Sequence, residues 1–530
     1  MCATRGRWRK KVDAGIIGYV STLAAIDMGS NAIRFYVVEP TGPASYRVIE
    51  NIREPIRLGG DVFLSGTIRP ENIRKAEEAF RRFRQALQRY RARVVRAVAT
   101  ASIREAVNGE QVIARIEKAS GIRVEVIPGD EEARLVALAV GSRIPLKKRN
   151  ALIVDLGGGS VEVSRIENGR ITLAESHNFG AVRLLDVLSS AGDDPARGGA
   201  LLRDYMELMG RKLRRKGAEK ADIFIATGGN METIASLSDI GAVPHPTYPG
   251  TLVLRTSKLR TVMETLSGMT VKARIARYGL REDRADVILP ACFVYHMLAK
   301  LNGSAEILVP RVSLKDGLIL DALARTREVE HSDDLRAQVL VSCRELGERF
   351  KIDRSHAEKV AFLATRLFDG TEKVHGMPPG DRLRLEVAAL LHDIGYYISI
   401  QKHHKHSFYI ISNAEIVGFP PQERSIAAHV ARYHRKALPK KEHAEFEGLP
   451  KKERVAVRRL AALLRLADAL DKEHLGAIRG IDCRMRGGVL RISAASRKSC
   501  RLESLGFERN AQMFREVFGI DVALEIRKEA

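Results

Sequence analysis

Two stretches of the chain pair an aspartate with glycines in the same way. Residues 24–38 read AAIDMGSNAIRFYVV and residues 151–163 read ALIVDLGGGSVEV. Each is an apolar strand, then Asp-x-Gly, then small residues, then a second strand. The glycines let backbone N–H groups converge on an anion, and the aspartate before them can hold a metal or orient water. Asp27 with Gly29, Ser30 and Asn31 makes one candidate phosphate clamp, and Asp155 with Gly157, Gly158, Gly159 and Ser160 the other. A single such turn reads equally well as an ordinary hairpin; two at equivalent places argue for a site built from two halves. A third turn, Gly228-Gly229-Asn230, follows the apolar run Ile223–Thr227 and precedes a helical stretch, Met231 to Leu237. It aims a helix N-terminus at whatever the two hairpins hold, although alone it also reads as a plain strand–helix turn.

Carboxylates stand close to these turns in sequence. Glu162 lies seven residues after Asp155, in the return strand of the same hairpin, where both can reach an ion or its water. Glu131-Glu132 opens a helix after the strand end Ile127-Pro128-Gly129, a position that the helix dipole alone also favours.

The elements that must carry these residues fall into three regions. Strand-like runs alternate with helical ones over residues 22–145, and the alternation restarts over 146–328 with Ala151–Val154, which predicts sheets covered by helices. Ile73, Ala76, Phe80, Phe83, Leu87 and Tyr90 recur at helical spacing behind Pro70, so a helix is expected there with an arginine-rich outer face. From 333 to 530 the pattern is nearly all helical. A capping box is expected at Ser355–Glu358, helices over Leu385–Ile398 and Leu460–Leu470, and a long basic loop over Lys436–Arg459. Residues 1–21 are read as a basic tail: Trp8–Lys11 before Gly15–Val20 imitates a signal peptide but lacks a small-residue cleavage pattern.

The segments Ala25–Asn31, Asp155–Glu162 and Ala226–Gly229, with Ala99–Ala106 and Pro128–Arg134, resemble the exopolyphosphatase / guanosine pentaphosphate phosphohydrolase family. The resemblance runs through at least residues 22–325. It implies an α/β fold of two ribonuclease-H-like (actin-like) lobes with mixed sheets, followed by an all-α HD-like domain. Within that family the second glutamate of the Glu-Glu motif is the catalytic base, which here is Glu132, and Arg104 matches the cleft arginine. Releasing a terminal phosphoryl group requires its charge to be neutralised and a water to be aligned and deprotonated. Mg²⁺ (or Mn²⁺), held by Asp155 and Glu162, suits the first task because it prefers oxygen ligands.

In the C-terminal region His356, His392, Asp393 and Asp468 resemble the HD-domain phosphohydrolase pattern. Longer members of the first family carry an HD-like domain here with the metal residues often eroded, whereas this chain keeps all four. The resemblance implies a second divalent metal, which imidazole and carboxylate ligands would hold as Mn²⁺ or Fe. His403, His404, His406, His429 and His434 could extend it to two metals or form polar surface.

The chain has 530 residues with 88 Lys and Arg against 65 Asp and Glu, a net charge of +23, so a polyanionic partner is expected. Aromatics at 5% with one Trp leave little for stacking bases, which argues against a specific nucleic-acid partner. No apolar run reaches the roughly 18–20 residues that span a bilayer, and five scattered cysteines fit reduced thiols in a cytoplasmic protein. Basic stretches at Lys147–Arg149 and Lys212–Lys220 read either as a surface for a long polyphosphate or as solubilising charge. The family resemblance implies an exopolyphosphatase that releases orthophosphate from inorganic polyphosphate, with guanosine pentaphosphate as a further substrate, and a homodimer is expected as the commonest symmetric assembly. Two alternatives stay open: an HD-centred metal-dependent nucleotide phosphohydrolase whose N-terminal lobes sense polyphosphate or alarmone, and a non-catalytic alarmone or polyphosphate binding protein.

Overall fold

The computed structural model describes residues 22–528 apart from 43, 186–187, 189–193, 215–219, 326–327, 436–437, 441 and 498. The expected basic tail, 1–21, and the middle of the Lys212–Lys220 stretch thus lie outside the described residues. The chain divides into two compact units, Met1–Ser164 with Glu175–Glu328, and Arg165–Ala174 with Val329–Ala530.

The repeat seen in sequence is a repeat in topology. The first sheet contains β1 (Leu23–Met28), β2 (Ile33–Gly42), β3 (Ser45–Glu54), β4 (Arg93–Ala99) and β5 (Glu125–Val126) in the order β3-β2-β1-β4-β5. The second contains β6 (Asn150–Leu156), β7 (Val161–Glu167), β8 (Arg170–His177), β9 (Ile223–Thr227), β10 (Val243–Pro244), β11 (Leu252–Arg255) and β12 (Glu306–Val309), ordered β10-β11-β12-β9-β6-β7-β8. In each, the strand that ends in Asp-x-Gly has its hairpin partner on one side. On the other lies a parallel strand, β4 beside β1 and β9 beside β6. All six residues of β1 are buried, as expected of a strand covered on both faces.

The helix expected behind Pro70 spans Pro70–Tyr90 with Pro at its first turn. Its stripe Ile73, Ala76, Phe80, Phe83 and Leu87 is buried against the first sheet, where Phe83 stacks on Phe35 at 4.9 Å between ring centroids. This packing fixes the sheet from which the first Asp-x-Gly turn projects.

The second unit is a helical body whose core gathers Val360, Leu363, Leu385, Leu463 and Phe514. It also holds a three-stranded sheet of β13 (Ile478–Arg486), β14 (Val489–Ser496) and β15 (Asp521–Lys528), which the helical pattern did not announce. β14 and β15 run parallel, and the helix Arg501–Phe518 makes the crossover that parallel strands require.

Three local expectations are corrected. Asp353, not Ser355, caps the helix Arg354–Gly370, its carboxylate accepting from the His356 N–H at 3.1 Å. The helix expected over Leu385–Ile398 spans Gly380–Leu391 and stops at His392-Asp393, followed by one 3₁₀ turn, Ile394–Tyr397. The helix expected from Leu460 begins at Lys451, so the end of the supposed long loop is helical. Among the described residues no helix is long and apolar enough to cross a membrane.

Candidate active site

The two Asp-x-Gly turns have the same internal hydrogen bond. Gly29 N–H donates to the Ala32 carbonyl at 3.2 Å and Gly157 N–H to the Ser160 carbonyl at 3.0 Å. The turns also meet: a Cβ added to Gly158 would lie 3.1 Å from Ser30 Cβ and 3.4 Å from Asn31 N, so a side chain there would crowd the other turn. The third turn closes on the second. Gly228, at φ +92°, places its backbone where an added Cβ would be 2.6 Å from Asp155 Oδ1. All three turns therefore line one cleft, together with Asp27, Thr100 and Glu132.

Three carboxylates, Glu132, Asp155 and Glu162, bring an oxygen each to within 4.8 Å of one another. Asp155 Oδ1 accepts from Thr227 Oγ1 at 2.9 Å, and Glu162 Oε1 accepts from Ser160 Oγ at 2.5 Å and Ser176 Oγ at 3.0 Å. These bonds orient the carboxylates without neutralising them. Glu132 Oε2 and Glu162 Oε2 are buried with no hydrogen-bond partner. Burial, reinforced by the neighbouring acids, pushes Asp155 up to about 6 and Glu162 up to about 7. Glu132 is pushed well above the usual carboxylate range by burial, then by Glu162, with Asp155 and Asp27 adding to it against Arg104. A buried all-oxygen set with two orphaned oxygens and too much negative charge fits a hard divalent cation.

Arg104 Nη1 stands 4.0 Å from Glu132 Oε2 and donates to the Ile127 carbonyl at 2.7 Å, which anchors it at the same strand end that launches the Glu132 helix. Glu131 turns away. It pairs with Arg96 at 2.6 Å and Arg134 at 2.7 Å, and although burial opposes it, Arg134 and Arg96 hold its carboxyl below the usual range. Of the adjacent glutamates, only Glu132 lines the cleft.

Some expected phosphate ligands have other partners. Asn31 Oδ1 accepts from Arg57 Nε at 3.2 Å and its Nδ2 donates to the Asp283 carbonyl at 3.3 Å. Asn230 Oδ1 accepts from Arg284 Nη1 at 2.9 Å. Both asparagines line the cleft, but their side-chain amides brace its wall.

Three arginines of the cleft, Arg34, Arg53 and Arg284, were not singled out from sequence. Arg34 sits opposite Asp27 in the β1–β2 register, with Nη1 3.3 Å from Asp27 Oδ2; strand alternation alone would have put them together. Arg53 pairs with Asp283 and leaves its buried Nε and Nη1 without partners. Burial and then the neighbouring Arg34 and Arg53 lower Arg284 to about 10, so it still carries its charge at neutral pH. Nothing near Arg284 in the sequence marks it, because it enters from a helix far along the chain.

The four residues expected of a second metal also meet. His356, His392, Asp393 and Asp468 converge in the second unit, with His392 Nε2 3.5 Å from both Asp393 Oδ2 and Asp468 Oδ1.

The turns and the carboxylate trio thus sit at the strand ends of two sheets of matching topology. A model of the Ppx/GppA phosphatase family matches residues 37–326, and one of the family's domain III matches residues 340–492. The chain belongs to the Ppx/GppA phosphatase family, whose members are phosphoanhydride hydrolases. It is 23% identical over 449 residues to a guanosine-5'-triphosphate,3'-diphosphate pyrophosphatase of Photobacterium profundum, covering 84% of each chain. A second relative of that name, from Pseudoalteromonas translucida, is 26% identical over 429 residues, covering 79% of this chain and 81% of its own. Among solved structures, an exopolyphosphatase from Cytophaga hutchinsonii aligns at 25% identity and TM-score 0.51 over 57% of this chain and 98% of its own. The Aquifex aeolicus Ppx/GppA family member aligns at 22% identity and TM-score 0.50 over 58% and 99%, a likeness of fold.

Proposed function

We propose that the chain is an exopolyphosphatase that removes the terminal phosphoryl group of inorganic polyphosphate as orthophosphate, and that it also converts guanosine pentaphosphate to the tetraphosphate. The observation that carries this reading is the buried Glu132 oxygen, without a hydrogen bond, inside a cleft made of two matching Asp-x-Gly turns. The names of the relatives support both substrates. Arg34, Arg53 and Arg284 beside the turns support an anionic substrate, Arg284 donating to the neutral Asn230.

In this mechanism the terminal phosphoryl lies between the two turns, with the backbone N–H groups of Ser30, Asn31, Gly158 and Gly159 around its oxygens. Asp155 and Glu162 would hold Mg²⁺ or Mn²⁺, whose charge offsets that of the phosphoryl oxygens. Glu132 accepts the proton of the attacking water, its affinity for protons raised by burial and then by Glu162. Arg104 stabilises Glu132 in its charged form before the transfer and pairs with phosphate oxygens as charge moves. Thr227, Ser160 and Ser176 keep the other two carboxylates aimed inward.

The test is orthophosphate release from long-chain polyphosphate and from guanosine pentaphosphate by wild type and Glu132→Gln. Release that survives the substitution overturns the assignment of the base. A wild type that binds polyphosphate yet releases nothing with Mg²⁺, Mn²⁺ or K⁺ present would make it a binding protein instead. We place the enzyme in the cytoplasm, which suits its free cysteines Cys292, Cys343, Cys483 and Cys500, three of them buried. We take a homodimer as its assembly, since twofold pairs are the commonest. A solution mass near the 58.7 kDa of one chain at micromolar concentration counts against that.

A further inference from the structure

We propose that Arg183 is a positioning residue for the phosphoryl site: with the segment Gly180–Arg183 it braces the second glycine turn from behind, and it ties that turn to the helix that carries Arg104. This rests on the reading of the Glu132 cleft as the phosphoanhydride site.

The backbone of the segment is the first support. Ala181 N–H donates to the Gly157 carbonyl at 3.1 Å, and Val182 and Arg183 N–H to the Gly158 carbonyl at 2.8 and 3.2 Å. Gly180 N–H donates to the Gly159 carbonyl at 3.1 Å. In a planar trans peptide the N–H of the following residue points opposite to the carbonyl. Three successive carbonyls held from one side therefore turn the N–H groups of Gly158, Gly159 and Ser160 to the other. That other side is the cleft, which Gly157 to Ser160 line and residues 180–183 do not. The packing is close: a Cβ added to Gly180 would lie 2.5 Å from the Gly158 carbonyl carbon and oxygen, so a side chain there would push the segment off the turn.

The second support is the Arg183 side chain. Its Nε donates to the Gly159 carbonyl at 3.1 Å and its Nη2 to Glu105 Oε2 at 2.7 Å. The guanidinium lies over the Phe63 ring, with Cζ 4.1 Å from the centroid. That ring in turn lies against Gly159, where an added Cβ would be 3.0 Å from Phe63 Cε2. Gly159 follows β6 of the second sheet, whereas Glu105 ends the helix Ala101–Glu105 that follows β4 of the first. One guanidinium thus joins the turn of one sheet to a helix of the other. The residue before Glu105 is Arg104, which faces Glu132.

The third support is where Arg183 is absent. It does not line the cleft, so its charge meets no phosphate there. The Arg183 and Glu105 side chains are 24% and 32% exposed, and an ion pair so open to water adds little to stability. What the contacts fix is the placement of the turn's N–H groups relative to Arg104. A 1 Å misplacement of groups that meet the transition state costs up to about 10²-fold in rate.

The test uses the full chain and orthophosphate release from polyphosphate with Mg²⁺. Arg183→Met keeps a stem over Phe63 and removes the bonds to Gly159 and Glu105. Its kcat should fall about 10–100-fold while KM changes less than about threefold. Glu105→Gln should lose part of that rate, and the double variant should be no slower than Arg183→Met alone. Arg183→Lys should recover part of kcat, and Gly180→Ala should lower kcat with no charge changed. Arg115→Met, which breaks the 2.6 Å pair with Glu77 elsewhere on the first half, should leave both constants as they are. Circular dichroism midpoints establish that each variant is folded, and Arg183→Gln replaces Arg183→Met if that one is not. Hydrogen exchange reads the brace without activity: Arg183→Met should speed exchange in peptides covering 155–163 and 101–106 and leave the helical second unit unchanged. A KM that rises at constant kcat makes Arg183 a substrate contact, and losses that multiply in the double variant make the pair a plain surface ion pair; either overturns the proposal, as does exchange unaltered by Arg183→Met. A wild type that releases no phosphate defeats instead the reading of the cleft, and exchange still reports on the brace.

Discussion

The acidic cleft of the first unit and the histidine–aspartate cluster of the second both bury several ionisable side chains, and they resolve that burden in opposite ways. In the cleft, carboxylates face carboxylates. Burial raises Asp155 to about 6 and Glu162 to about 7, so the acids retain protons that they would shed in water. In the cluster, burial alone would raise Asp393 and Asp468, yet the surrounding histidines drive both well below the usual range. Burial likewise opposes a charge on His356, but Asp468 and Asp471 lift it to about 9. The first arrangement is made only of carboxylate oxygens, the donor type that hard divalent cations prefer. The second balances its own charges between imidazole and carboxylate.

The sharpest way to break this contrast is to remove the charge of the cleft's central acid. Glu132→Gln keeps the shape of the side chain, and phosphate release from polyphosphate should fall by about 10²–10⁴-fold, the usual contribution of a general base. Next comes the cationic wall. Arg284→Ala removes a charge that meets the cleft through Asn230, and should raise KM for polyphosphate by roughly 10–100-fold with a smaller change in kcat, since a charged hydrogen bond is worth about 1.5–3 kcal/mol. Equal losses in kcat and kcat/KM would instead place Arg284 at the transition state. Gly228→Ala acts on stability. The positive φ and the approach of a new Cβ to Asp155 should lower unfolding free energy by about 1–3 kcal/mol, read from a denaturant titration.

How much of this was open to a reader of the sequence depended on how local the signal was. The two turns were legible because each is contiguous: strand, Asp-x-Gly and return strand fit within fifteen residues, and their equivalence showed as a repeat. Glu132 was legible only through a family likeness, because the helix dipole justifies Glu131 as well, and it is the pairing of Glu131 with Arg96 and Arg134 that separates them. Arg53 and Arg284 were invisible for the opposite reason, being brought in by tertiary packing with no motif around them. In the second unit the His-Asp pair could be read, whereas no motif tied Asp471, 2.8 Å from His356 Nδ1, to that ring. The helix expected over Leu385–Ile398 ran too long because its apolar spacing continues past the break that lets Asp393 face inward.

The finest test of the contrast is the pH dependence of stability without metal. In the unfolded chain Asp155 and Glu162 titrate near 3.8 and 4.5, and in the fold near 6 and 7. Below about pH 4 both states hold their protons and the cleft bears no penalty. As pH rises through 4 to 7 the unfolded chain loses protons that the fold still binds, so this cluster makes the fold progressively less stable, and the loss is complete above about 7. Because the acids share their protons as a set, a single substitution recovers only part of the effect. Glu162→Gln should therefore raise the thermal midpoint of the metal-free protein at pH 7.5 by about 1–3 °C relative to wild type, and leave it unchanged at pH 4. Adding Mg²⁺ at pH 7.5 should stabilise wild type and leave the variant less affected, because the ion takes over the role of the lost protons. A difference between variant and wild type that is the same at both pH values would mean that Glu162 contributes only through packing and its serine hydrogen bonds, and that the crowding of charge in the cleft is already relieved by Arg34 and Arg104.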